Sequence, residues 1–382
     1  MRSIRKRVAV FLALCATLAV AACASDPKPE PPTSLKSITP VVETSRQWSK
    51  KTDYVGRGRF EPYVDADQVV VATRDGAVSS FDPTDGSRQW RVDVKSSLGS
   101  GVGGDASKVY VSTTNGVIIA LEASTGDELW RVNSSSEVLV PVISRFNTVI
   151  VRSADGRVLA LEPDNGAERW SVSNTPPALT LNGYSKPLVV DGGVLVALDD
   201  GRLLALSLDT GREIWESVIS IPSGRSEVER LVDIDADVLV DNAGIYVANY
   251  QGRLARLEPG RGQIQWAVPM STTAGFTLFQ NTLVVVTDNN TIRAIDKENG
   301  QDLWTTDVFE GRTLGTPAVT DTGDIVVGDV EGYLHVLSMS DGSVIGRSRV
   351  SDAAIRSRPQ LLDSTLYVQT GDGVIAALRI VR

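Results

Sequence analysis

Of 382 residues only one is histidine, two are cysteine and three are methionine. The one histidine, His335, has no Ser or Cys nucleophile or second ligand near it in the sequence. It therefore builds neither a triad nor a zinc site, and its reading is structural. Both cysteines, Cys15 and Cys23, stand at the N-terminal end, so a chain processed there keeps no free thiol for a disulfide, a metal or a nucleophile. Basic residues are also scarce, 38 against 47 acidic, for a net charge of −9, and a surface of that sign repels phosphate backbones and argues against a nucleic-acid partner. Helical patterning is absent beyond the N-terminus. The glycine-rich turns are not phosphate loops, because none joins a strand to a helix.

What the chain does have is one phrase, repeated. "DGRVLALEPDNGAERW" ends at Trp170, and related copies end at Trp90, Trp130, Trp215 and Trp266. Two copies are worn: Asn290 replaces the first glycine of the copy ending at Trp304, and Gly346 replaces the tryptophan of the next. Asn tolerates positive φ, so the first change keeps the turn, whereas the second loses a wedge of ring. An eighth copy starts at Asp372 and runs into the C-terminus. Each is preceded by a β-branched run such as "VVVA" from Val69 or "VYVS" from Val109. These runs are mostly continuous and apolar, which fits small sheets covered on both faces.

A period near 40 with about four strands per unit marks a β-propeller. The expected fold is all-β: eight four-stranded antiparallel blades, with glycine-bearing hairpin turns and a tryptophan on each outer strand filling the wedge between blades. The last repeat supplies strands near 355–361, 366–370 and 374–380 but no outer strand. "TSRQWSK", with Trp48, matches the missing piece, so the eighth blade is composite and the N-terminal strand closes the ring.

Residues 1–22 read as a signal peptide, basic and then apolar, followed by small residues before Cys23. "VAAC" resembles the lipobox of bacterial lipoproteins, which implies that Cys23 is acylated and becomes the mature N-terminus. Ala24 in place of Asp resembles the outer-membrane sorting pattern. Losing Arg2, Arg5, Lys6 and Arg7 leaves 34 basic against 47 acidic residues, a net charge of −13. Residues 23–40 are then the acylated cysteine and a proline-rich tether, reaching up to roughly 50 Å when extended, and 41–382 the propeller.

Successive tryptophans lie 42, 40, 40, 45, 51 and 38 residues apart, so the excess falls in two consecutive units. Per-repeat insertions map to loops on one face. The first carries "PPALTLNGYSKP", where Leu179 and Leu181 either display side chains on one side of an extended segment or pack inward as a strand. The second carries "ERLVDIDAD", where Asp233, Asp235 and Asp237 are surface contacts, turn caps or, less well matched, a calcium loop.

The repeat resembles that of propellers that bind pyrroloquinoline quinone. The whole chain, with its lipobox, tether, eight blades, both insertions and "VVGDVEGYLH", resembles the BamB (YfgL) family of outer-membrane assembly lipoproteins. That resemblance implies a non-catalytic scaffold without cofactor or metal, lipid-anchored to the outer membrane and facing the periplasm. It also implies that the chain binds the POTRA domains of the barrel subunit BamA, with unfolded outer-membrane proteins as a further class of partner. Leu179, Leu181 and Asn182 fall on the family's Leu-x-Leu-Arg loop, and Asp233 and Asp235 on its Asp-x-Asp loop, both implicated in that contact. Asn182 stands where the family has a basic residue, with Lys186 as the candidate to replace it. Two other readings are a quinone-dependent enzyme and a propeller that binds a small ligand in its funnel.

Overall fold

A computed structural model describes residues 32–56, 58–181 and 185–382. The expected signal peptide and the lipidated Cys23 lie outside the described residues, as does Asn182. Among the described residues there are thirty-two strands and no helix. They form eight separate four-stranded sheets, each ordered from an inner to an outer strand. Blades 1 to 7 cover residues 63–93, 103–133, 143–173, 188–218, 239–270, 275–306 and 318–349. Blade 8 combines Gln360–Leu362, Thr365–Gln369 and Val374–Val381 with the N-terminal strand Glu43–Lys51. That strand pairs antiparallel with the last one, Thr44 opposite Ile380 and Lys51 opposite Val374. The inner strand of blade 8 starts only at Gln360, later than expected, because Pro359 has no N–H for the ladder and the preceding residues cross the face of the ring.

The hydrophobic core is divided among the gaps between blades. Val70 and Val78 of blade 1 cluster with Val109 and Val111 of blade 2, and each of eight such clusters draws on two neighbouring blades. Continuous apolar strands follow, since both faces of each small sheet are buried.

The recurring glycine and tryptophan meet across these gaps. A Cβ on the second glycine of a repeat would lie within 2.8 Å of the preceding blade's indole, for Gly86 on Trp48, Gly126 on Trp90, Gly166 on Trp130 and four further pairs. Each indole N–H is tied to a backbone carbonyl three residues before that glycine, as in Trp90 to Ala123 at 2.8 Å and Trp130 to Pro163 at 2.8 Å. A β-bulge beside the tryptophan aims the ring at its neighbour. Seven of the eight gaps are locked in this way among the described residues. The eighth, between blades 7 and 8, has neither part: Gly346 replaces the ring, and blade 8 has no outer hairpin because the chain ends meet there.

Positive φ is supplied at the first turn as expected from Asn290, at 63°. In blade 5 it is Gln251, at 46°, that takes this conformation rather than the glycine after it.

Candidate functional site

Strands alternate in direction, so the links from each outer strand to the next inner strand share one face of the ring. Both insertions, 174–187 and 219–238, are links of this kind. They lie side by side. The backbone N–H of Leu181 donates to Asp233 Oδ2, and that of Lys186 to Asp237 Oδ1 at 3.0 Å. The two loops that the spacing singled out are thus rungs of one structure.

Asp233 and Asp235 are buried, 0% and 2% exposed. Alternation does not separate them from Ile234 and Ala236, which are buried as well. As the chain stands, then, both carboxylates are buried, and that of Asp233 holds the first insertion through the Leu181 N–H. Burial pushes the Asp233 carboxyl up to about 7; the Leu181 N–H opposes this, and the charges of Asp235 and Asp199 add to it. Asp199 is itself paired with Arg152 at 2.6 Å, and a guanidinium N–H of Arg152 reaches the carbonyl of Ser185 in the first insertion at 3.2 Å. The Asn249 side chain fixes the second insertion further. Asn249 donates to the carbonyl of Val232 at 3.1 Å and accepts from the Ser220 hydroxyl at 3.0 Å.

Lys186 does not stand free as the missing basic contact. Its ammonium bonds Glu61 and lies 3.1 Å from Asp237. Burial opposes both charges, yet Asp237 and Glu61 hold Lys186 above its usual range, while Lys186 and Arg358 hold Asp237 below the usual carboxylate range. The residue is an internal strut between three links.

Outside this frame the surface is different. Leu179 is 42% exposed and Leu181 half-buried, in a segment that forms no strand, so the inward-packing alternative does not apply to Leu179. Residues 221–230 are exposed throughout and carry two apolar side chains, Ile221 at 75% and Val228 at 59%. Sequence reasoning passed over both. Their one signal was an apolar residue at each end of a run, "IPSGRSEV", too polar to be a strand.

Inner strands of blades 3, 4, 5 and 6 line a cavity of about 530 Å³ at the axis, with Arg145, Leu188, Leu239 and Leu278 in its wall and Arg358 from the link into blade 8. Among the described residues no group of three or more His, Cys, Asp and Glu is placed to hold a metal ion. His335 is fully buried and hydrogen-bonds Asp329 at 2.9 Å.

The family model described as outer membrane protein assembly factor BamB matches residues 74–306 and 288–381. The outer membrane protein assembly factor BamB of Pseudomonas aeruginosa is 43% identical over 379 residues, covering 97% of this chain and 98% of that protein. The crystal structure of BamB from Moraxella catarrhalis superposes with a TM-score of 0.82 at 28% identity, over 88% of this chain and 99% of that one. A quinohemoprotein alcohol dehydrogenase from Comamonas testosteroni shares the fold alone, with a TM-score of 0.72 at 13% identity over 88% of this chain and 76% of that one.

Proposed function

This chain belongs to the family of outer membrane protein assembly factor BamB, and from that premise we propose that it is a non-catalytic scaffold of outer-membrane protein assembly. In this reading a lipid on Cys23 holds it to the outer membrane, facing the periplasm. The face bearing the two insertions docks the POTRA domains of the barrel subunit, and unfolded outer-membrane proteins pass close to that contact.

The observation that supports this most is the bracing of the two insertions against each other while Leu179, Ile221 and Val228 stay exposed beside the brace. Apolar side chains held out on a rigid frame are pre-organised for association, because little loop entropy remains to be lost. Leu179, with Ile221 and Val228, would touch the partner. Leu181 and Asn182 belong to the same loop, and Asp233 and Asp235 act through it by holding it in place.

Binding kinetics to immobilised POTRA domains test this division of labour. Leu179→Ala with Ile221→Ala is expected to speed dissociation about tenfold or more, since each buried aliphatic side chain contributes about 1.5 to 3 kcal/mol. Asp233→Ala frees the Leu181 N–H, so it should chiefly slow association, while Ser124→Ala with Thr125→Ala on an unmodified repeat should change neither rate. Wild-type kinetics for both insertion variants would remove this face from the contact.

A further inference from the structure

The gap between blades 7 and 8 is sealed by Val42, just ahead of the closing strand, and the residues upstream of it, which the sequence reading gave to the tether, are held to blade 7 and its link. Val42 is 1% exposed and clusters with Leu334 and Val336 of blade 7, with Val350 just after it, and with Leu366 and Leu378 of blade 8. A Cβ on Gly346 would lie 2.7 Å from Val42 Cγ2, so the glycine at the tryptophan position leaves room for this residue. The backbone N–H groups of Val41 and Val42 both donate to the carbonyl of Ile345, at 2.8 and 3.1 Å. Upstream, Arg347 Nη1 donates to the carbonyl of Lys36 at 3.0 Å, Arg312 Nη1 to the carbonyl of Thr33, and the Thr33 hydroxyl to the carbonyl of Glu310. Pro32, Leu35 and Ile38 are half-buried between exposed neighbours, the spacing of three that a polyproline II segment presents to one side.

The two arginines are themselves held. Arg312 is 1% exposed and pairs with Asp329 and Glu331. Arg347 Nε donates to His335 Nδ1 at 3.2 Å, which leaves the other ring nitrogen of His335 to donate to Asp329. The one histidine of the chain thus aims an arginine at the segment ahead of the propeller.

We infer that residues 33–42 are a strap seated on blade 7, replacing the missing tryptophan lock, and that the chain toward Cys23 therefore departs from the insertion-bearing face at the link into blade 7. The membrane half of this inference rests on the lipid-anchor reading above. Only nine residue steps lead from Pro32 back to Cys23, a reach of ~28 Å at about 3.1 Å per residue. The seated strap roughly halves the distance at which the anchor holds the propeller.

Trypsin reports the seat directly. Lys36 precedes Ser37, whereas Lys28 precedes Pro29, a bond the protease leaves intact. In the soluble Cys23→Ala chain, cleavage after Lys36 is expected to be slow relative to a free peptide of residues 28–42. Arg347→Ala, and independently Leu35→Asn with Ile38→Asn, should each accelerate it about tenfold, as loss of a charge-assisted bond or of the packed side chains does. The second variant lies wholly in the strap, so it remains informative if removing Arg347 unfolds the blade. Cleavage of the wild-type chain at the free-peptide rate, or equal rates in all three, overturns the strap. For the membrane half, the lipidated chain labelled at Ser223→Cys is placed on phosphatidylethanolamine and phosphatidylglycerol vesicles that carry an energy acceptor. The strap-side variant should lose transfer; unchanged transfer overturns the shortened reach. A wild-type chain that does not hold to vesicles overturns the anchor reading, and the tryptic rates still decide the strap.

Discussion

At the scale of the residue, Asp233 shows how a buried carboxyl can serve as a structural part. Its folded-state pKa, about 7, lies above the ordinary carboxylate value of 3.8, so the folded chain binds the proton more tightly than the unfolded one. Stability from this group is therefore complete below pH 3.8 and is lost as pH rises through about 7. Asp233→Asn keeps an acceptor for the Leu181 N–H and cannot ionise. Its denaturation midpoint is expected to gain on the wild type between pH 4 and pH 8, and a gap that does not change with pH would show that the carboxyl is not held neutral. His335 runs the other way: burial lowers its pKa from 6.5, so its contribution is full above that pH and declines below it. Little of this was legible beforehand. Alternate aspartates look like a surface motif because alternation separates faces in a strand, but 231–238 is a link crossing the ring, buried on all sides except at Asp237.

The blade is the scale at which the sequence reading was most complete. Continuous β-branched runs, turn residues and the period near 40 led to the strands, the four-stranded sheets and the composite blade, because those signals are local and repeat eight times. What the repeat concealed was the second reason for its glycine. Hairpin geometry accounts for the residue so well that its contact with the indole of another blade left no separate trace. Two glycines divide these effects. Gly126 has φ 78° and faces Trp90, whereas Gly192 has φ 70° with nothing within 4 Å of a Cβ. Gly192→Ala should cost about 1 to 2 kcal/mol, the left-handed penalty alone. Gly126→Ala should cost about 1 to 3 kcal/mol more from overpacking, read as the difference between their urea midpoints. Equal midpoints would reduce the lock to a turn.

Over the whole molecule the fold is a ring whose ends meet in one sheet, so its closing contacts join residues more than 300 apart, such as Arg46 with the carbonyl of Arg349 at 3.0 Å. Deleting 41–50 removes Trp48, Val42 and the strand that covers the last edge. Loss of the tryptophan alone should cost roughly 3 to 5 kcal/mol. Deleting 24–31 touches none of these, and equal melting temperatures for the two chains would rule out closure by the N-terminal strand. The sequence placed this strand because it repeats the "SRQW" of blade 1, but the strap has no counterpart in any other blade, and residues without a repeat to match read only as a linker. The direction of the strap has a mechanical consequence. A pull on the chain ahead of Thr33 meets its attachments one after another: Arg312, then Arg347, then Ile345, and then the Glu43 end of the closing strand. Load of this kind opens a ladder rung by rung, as a zipper, and never sets all the rungs in shear together. Traction from the membrane side would open the ring at this seam and reach the Trp48 lock last, while the other six tryptophan locks stayed shut.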